Sequence, residues 1–350
     1  MKNPTAVLFL VIAVSASVLV PEHGFGQAFP APRERHRDWT SAQGSEFRSR
    51  LIAVNETSVK LASRDVIRII PIASLNEEYQ QVAKSLMPDL GHVSPYPMEG
   101  ATEEQQRFLE EHSAQSLVWE GTKHPIWRRG TEEGRLPFLF FEAPNLRTGE
   151  KAPLIIHLHG TGGFGTNNLD ALFTCGNGIA KSYLERRLQG TSPCNVLVPQ
   201  VTRDSTWFNE PAKQALACVV YQMLQDPDSP IDPKRVYLIG LSLGGMGVTH
   251  LMAQYPDLFA AGIAVAEFES TLAFRKNSRS ARDDNFWIVV NRKDTPSTES
   301  RAENFMREYR ELGGSARLTL LDGGGHDAWT DFLGRYRYRT WLFRKELQGW

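Results

Sequence analysis

Between residues 36 and 86 apolar and polar positions alternate in short bursts. Phe47–Val54, Ser58–Ala62 and Val66–Ile72 are separated by turn-forming residues at Asn55-Glu56 and Ser63-Arg64-Asp65. A period of two broken by such turns predicts antiparallel strands with one wet face, and the segment has room for a five-strand miniature barrel. After Ser74 the period lengthens: Leu75, Tyr79, Val82 and Leu86 fall on one side of a helix that Ser74 would cap.

Residues 87–103, "MPDLGHVSPYPMEGATE", are rich in Pro and Gly and predict a linker. The pattern "EEQQRFLEEHSAQS" then predicts a helix that opens a second domain, residues 104–350. Further on, near-continuous apolar runs replace alternation at Leu136–Glu142, Leu154–Leu158, Asn195–Pro199, Val236–Gly240, Ala260–Ala266, Phe286–Asn291 and Ala316–Leu321. Buried parallel strands read this way, because both of their faces are covered. Helical patterns at 178–188, 211–225, 245–255 and 299–312, and after 328, lie between or beyond them. The alternation predicts an α/β fold, a doubly wound, mostly parallel sheet preceded by the small barrel.

The start of the chain reads differently. Ala6 to Val20 is an apolar run after Lys2, ended by Pro21, and Gly26-Gln27-Ala28 offers small residues at a cleavage point. Residues 1–28 are therefore expected to be a secretory signal peptide, since a spanning helix needs roughly 20 apolar residues. Export would place the chain outside the cytoplasm, secreted or periplasmic, with no stable membrane anchor.

With 350 residues, 41% of them hydrophobic, the chain can bury one sizeable core and one small one. A formal net charge of −1 leaves no whole-chain attraction for nucleic acid. The tail "RYRYRTWLFRKELQGW" mixes Arg with aromatic residues, but Leu333, Tyr336, Thr340 and Phe343 predict an ordinary helix face with solvated arginines. Cys175, Cys194 and Cys218 are read as core thiols: a helix at 178–188 would hold the first two too far apart for a disulfide.

The chemistry concentrates at "VYLIGLSLGGMG". An apolar strand runs through Gly240-Leu241-Ser242-Leu243-Gly244 into a helix, the G-x-S-x-G nucleophile elbow. The tight turn demands glycine and lifts the Ser242 hydroxyl clear of the sheet. Serine needs a base, and the base needs an orienting acid. His326 sits on the glycine-rich loop of "LLDGGGHDAW", and of nine histidines only His250, within the elbow helix, also follows Ser242. Asp294, in the loop after the strand "NFWIVV", is the expected acid, with Asp322 and Asp327 as competitors. Upstream, "HLHGTGG" exposes backbone N–H groups, so the amides of Thr161 and Leu243 are the expected oxyanion hole. His157 and His159 lack a third ligand at usable spacing, so neither metal nor cofactor is expected. Trp207 and Phe208, in "RDSTWFNEP", are read as an exposed aromatic pair able to stack on a sugar or phenolic ring.

Together, "HLHGTGGFGTNN", "LVPQ", "IDPKRVYLIGLSLGGMG", "YPDLFAAGIAVAE" and "GGGHDAW" resemble the α/β-hydrolase superfamily. The similarity is to secreted esterases related to polyhydroxybutyrate depolymerases and feruloyl or acetylxylan esterases, also described as phospholipase/carboxylesterase-like or prolyl-oligopeptidase-like. It implies ester hydrolysis through an acyl-enzyme, on ester substrates such as polysaccharide-linked or polyester ones. The chain departs from that pattern around the acid, with Val290-Asn291-Arg292 before it and Thr295-Pro296 after it, which implies an altered site rim. Residues 36–86 resemble the SLA-one homology domain, an SH3-like barrel, in the Trp-Thr start and "IPIASL", which implies a peptide or polymer ligand. A prolyl-oligopeptidase-like serine peptidase and a catalytically silent binding scaffold remain open.

Overall fold

The computed structural model describes residues 29–30, 37–54, 57–63, 66–85, 91–122, 133–173, 182–275 and 281–347. The expected signal peptide and Cys175 lie outside them. The chain divides into two compact units, one ending at Met87 and the other beginning at Pro88.

The first unit is a five-stranded antiparallel sheet. β1 (Phe29–Pro30), β3 (Glu46–Val54), β4 (Ser58–Ser63) and β5 (Val66–Pro71) lie side by side, and β2 (Arg37–Thr40) pairs with β3. Alternation puts Leu51, Val59, Leu61 and Ile69 inside with Trp39, whose indole donates to the Ser49 carbonyl at 3.2 Å. Helix α1 (Glu77–Ser85) follows, capped by Asn76, whose side chain accepts from the Tyr79 amide at 2.9 Å, two residues later than the expected cap at Ser74.

The second unit is built on a nine-stranded sheet in the order β14-β13-β12-β11-β9-β10-β8-β7-β6. The strands are β6 (His92–Pro95), β7 (Gln115–Thr122), β8 (Glu133–Phe141), β9 (Ala152–Leu158), β10 (Asn195–Pro199), β11 (Ile231–Leu241), β12 (Ala261–Val265), β13 (Asp283–Asn291) and β14 (Ser315–Leu321). Strands β9 to β14 run parallel to one another, and β8, paired antiparallel with β10, begins the antiparallel end completed by β7 and β6. As the continuous apolar runs predict, every residue of β9, β10 and β12 is buried. On one face, Leu109, Leu172, Tyr183, Phe332 and Trp341 join the core formed by Ile155, Ile239, Val265 and Val289. Helix α4 (Leu243–Gln254) packs on β11 and β12, and α5 (Glu299–Glu311) on β13 and β14; α3 (Glu210–Gln225) spans β8 and β11.

Several expectations change. His92–Pro95, inside the stretch expected to be a linker, forms edge strand β6 on β7. A four-residue strand ending in Pro is tolerated there because an edge strand needs no second ladder. The helix expected over "EEQQRFLEEHSAQS" ends as α2 (Glu103–Glu111): Ser113 turns to φ 49° and Gln115 starts β7. Of the helix expected at 178–188, residues 178–181 lie outside the described residues, and at Glu185 the backbone leaves helical geometry before a short helix at Arg186–Thr191. At the C-terminus Tyr336 adopts a left-handed conformation between helices Trp329–Gly334 and Arg337–Leu342. That break rotates the second helix so that Arg339, expected to be solvated, is 4% exposed and donates to the carbonyls of Tyr183 and Ser192. Cys194 and Cys218 are buried thiols, neither of them in a disulfide.

Candidate active site

The strand order reverses between β9 and β11. The chain leaves β9 toward β10 and returns to lie beside β9 as β11, so loops from the two strands part at their carboxyl ends. Open α/β sheets bind ligands at such a crevice. Register pairs Gly240 with Leu158, which brings the segments that follow, Leu241-Ser242 and His159-Gly160, side by side.

Glycine makes the elbow possible. A Cβ on Gly240 would overlap the Gly244 carbonyl, and one on Gly244 would overlap the Leu158 carbonyl. Ser242 itself takes φ 53°, ψ −119°, a conformation that side chains rarely adopt, and its amide donates to the Val265 carbonyl at 2.8 Å. Leu243 is the first residue of α4, where backbone N–H groups have no partner within the helix.

Ser242 Oγ lies 2.7 Å from His326 Nε2, and His326 Nδ1 lies 2.9 Å from Asp294 Oδ2. The three residues come from the loops after β11, β14 and β13. Asp294 is 2% exposed, so its carboxylate meets the imidazole away from bulk water. The ring of Trp329 stands edge-on to His326, centroids 5.8 Å apart. Of the competing acids, Asp322 pairs with Arg292, and Asp327 binds the Thr330 amide and hydroxyl.

Thr161 opens a short turn, Thr161–Gly163, directly after Gly160. Gly160 sits so close to the elbow that a Cβ there would lie 3.4 Å from Ser242 Cβ. The loop is held by polar groups that sequence reasoning missed. Gln200, 1% exposed, donates to the Gly163 carbonyl at 3.0 Å and accepts from the Asn168 amide at 2.7 Å. Asn168, at φ 59°, donates from its side chain to Ser116 Oγ and to the carbonyls of Leu117 and Phe138. The clue available in the sequence was Gln200 itself, a polar residue ending the apolar run "NVLVP". Asn291 is a second such residue. It ends β13, is 2% exposed and donates to the carbonyls of Gly325 and Asp327 at 2.9 and 3.0 Å.

Trp207 is not the exposed half of an aromatic pair. It is fully buried, packs on Gly247 of α4 and donates from its indole to the His159 carbonyl at 3.0 Å. The expectation failed because Gly247 has no side chain, which opens a slot in α4 that the indole fills. Phe208 is half-buried against His250, ring centroids 5.7 Å apart. His157 and His159 are buried and structural. Burial lowers their pKa values to about 3 and about 4, and His159 Nε2 accepts from the Val201 amide at 3.1 Å. Among the described residues no group of three or more His, Cys, Asp or Glu is placed to hold a metal ion.

Residues 207–329 match the prolyl oligopeptidase family model, a span that contains Ser242, Asp294 and His326. No curated protein matches the chain. Among solved structures, a thermostable esterase is similar over 91% of this chain and 97% of its own, at 18% identity and a TM-score of 0.53. A ferulic acid esterase is similar over 66% of this chain and 98% of its own, at 13% identity and a TM-score of 0.48. An S-formylglutathione hydrolase from Agrobacterium tumefaciens covers 67% of this chain and 96% of its own, at 14% identity and a TM-score of 0.45. At such identities the likeness is one of architecture, and the mixed sheet with its covering helices is that of the α/β-hydrolase fold.

Proposed function

We propose that this protein is an exported serine hydrolase that cleaves carboxylic esters through an acyl-enzyme and needs no cofactor. The observation that carries the reading is the unbroken relay from Ser242 Oγ through His326 to Asp294. In the first step His326 Nε2 takes the hydroxyl proton as Oγ attacks the ester carbonyl carbon. The oxyanion that forms is met by the backbone N–H groups of Thr161 and Leu243. Collapse expels the alkoxide, which takes the proton back from His326. A water activated by His326 then releases the acid and restores Ser242. Asp294 keeps the Nδ1 proton in place and stabilises the imidazolium.

The fold match to an esterase supports ester substrates. The match of residues 207–329 to the prolyl oligopeptidase model supports a second reading, cleavage of short peptides by the same three residues. The apolar segment at Ala6–Val20 supports export through a signal peptide. Residues 36–86 serve, in this reading, as an SH3-like module for a peptide or polymer ligand.

The test assays wild type and Ser242→Ala on p-nitrophenyl acetate and on a proline 4-nitroanilide peptide, with fluorophosphonate labelling of both proteins. The proposal expects ester turnover and labelling in wild type and neither in the mutant. Peptide turnover exceeding ester turnover would favour the peptidase. A folded wild type that neither turns over nor labels would leave only a binding scaffold.

A further inference from the structure

The loop that carries His326 has little stiffness of its own. It runs Asp322-Gly323-Gly324-Gly325-His326, with Gly325 at φ 78°, and residues 322–325 are exposed. Three consecutive glycines give the unfolded and loosened loop many alternatives, so the imidazole needs outside support to stay in one place. His326 nevertheless meets Ser242 and Asp294 at hydrogen-bond distance on its two ring nitrogens.

That support comes from Asn291. Its two amide hydrogens have separate acceptors, the Gly325 carbonyl at 2.9 Å and the Asp327 carbonyl at 3.0 Å, the residues on either side of His326. Its backbone carbonyl accepts from the Asp294 amide at 3.1 Å, so the same residue also anchors the turn that carries the acid. Gly323 closes over the amide so tightly that a Cβ there would lie 2.8 Å from Asn291 Oδ1. Asn291 pairs with Leu321 in register, which sets it at the point where the histidine loop leaves β14. Its successor Arg292 points into solvent and pairs with Glu299 and Asp322, so the change from buried to exposed falls between these two residues.

The geometry points to Asn291 as a positioning residue that holds His326 and Asp294 in mutual register, a role that rests on the hydrolase reading above. It touches neither substrate nor reacting atoms. Its effect reaches the reaction through where it places the imidazole, and displacement of a reacting group by about 1 Å can cost on the order of 100-fold in rate.

The experiment is a double-mutant cycle on the full chain. Asn291→Asp keeps the shape and replaces the donor by an oxygen that faces two carbonyls. On p-nitrophenyl acetate kcat is expected to fall about 100-fold with KM little changed, while circular dichroism and the melting curve report a folded protein. In a His326→Ala background the same substitution is expected to leave the residual rate unaltered, because there is no imidazole left to place. Asn291→Ser, which keeps one donor, is expected to lie between and serves for the same cycle if Asn291→Asp does not fold. Full kcat in a folded variant, or an equal loss with and without His326, would overturn the proposal. Ser242→Ala run alongside separates the two ideas: turnover retained there defeats the hydrolase reading, whereas a dead Ser242→Ala with a fully active Asn291→Asp defeats only this one.

Discussion

Gly247 of α4 packs against the base of the Trp207 side chain, so close that a Cβ on the glycine would overlap Trp207 Cβ. The contact fixes the elbow helix against the loop after β10. Gly247→Ala should therefore force Trp207 or the helix to shift, at a cost of about 1–3 kcal/mol for overpacking. Urea unfolding should show the lower midpoint with an unchanged slope. A midpoint equal to wild type would mean that the indole has room to move.

Gln200 predicts a separable effect on the proposed oxyanion loop. Its side chain joins the Gly163 carbonyl to the Asn168 amide, so Gln200→Glu removes the donor while keeping the shape. Loosening the turn that presents the Thr161 amide should lower kcat on p-nitrophenyl acetate by on the order of 100-fold, the scale for loss of one oxyanion donor. Fluorophosphonate labelling should slow in parallel. Unchanged labelling would move the oxyanion donors elsewhere.

Acid sensitivity follows from His157 and His159. The folded chain keeps them neutral down to about 3 and about 4 because burial disfavours the cation, whereas the unfolded chain protonates near the ordinary histidine value of 6.5. Between about 4 and 6.5 the unfolded state thus binds more protons, so stability falls as pH falls through that window and is fully present above it. Protonating His159 would also cost the bond from the Val201 amide to its Nε2. Denaturant melts from pH 7 down to pH 4.5 should show declining stability. A folded His159→Gln variant should show a shallower decline.

The position of β6 decides where the chain can be cut. A protein beginning at Gly91 keeps the whole nine-stranded sheet and should hydrolyse p-nitrophenyl acetate at close to the full-length rate. One beginning at Gly100 loses β6 and uncovers β7, whose Trp119 is 2% exposed, and should melt earlier. Any contribution of the first unit should appear only on polymeric substrates, where a binding module raises local concentration. Loss of small-ester activity in a folded protein beginning at Gly91 would show that the first unit helps to build the site.

What could be read in advance was local. The spacing of Gly240, Ser242 and Gly244 is dictated by a turn a few residues long, so it is written in consecutive letters. Chain order then pointed to Asp294 and His326, and the continuous apolar runs marked the central strands. The support of the site was not legible. Gln200, Asn168 and Asn291 are polar residues whose side-chain partners here lie 30 or more residues away, and nothing nearby says that they are buried. β6 and β7 lack a continuous apolar run because they lie toward the antiparallel edge, and Trp207 looked exposed because the glycine that accommodates it lies in another element. The break at Tyr336 was hidden by a helical pattern that spans it.

The parallel sheet also sets when the site can exist. Ser242 and His326 are 84 residues apart, and β14, which delivers the histidine loop, is the edge strand laid against β13. Leu347 then ties back to Lys234, at the opposite end of β11 from the elbow. A nascent chain that has already formed its elbow holds a serine without a base. If His326 is the base proposed above, turnover begins only after synthesis has passed the histidine loop, and a chain truncated anywhere before β14 is expected to be inert however well the rest of it folds.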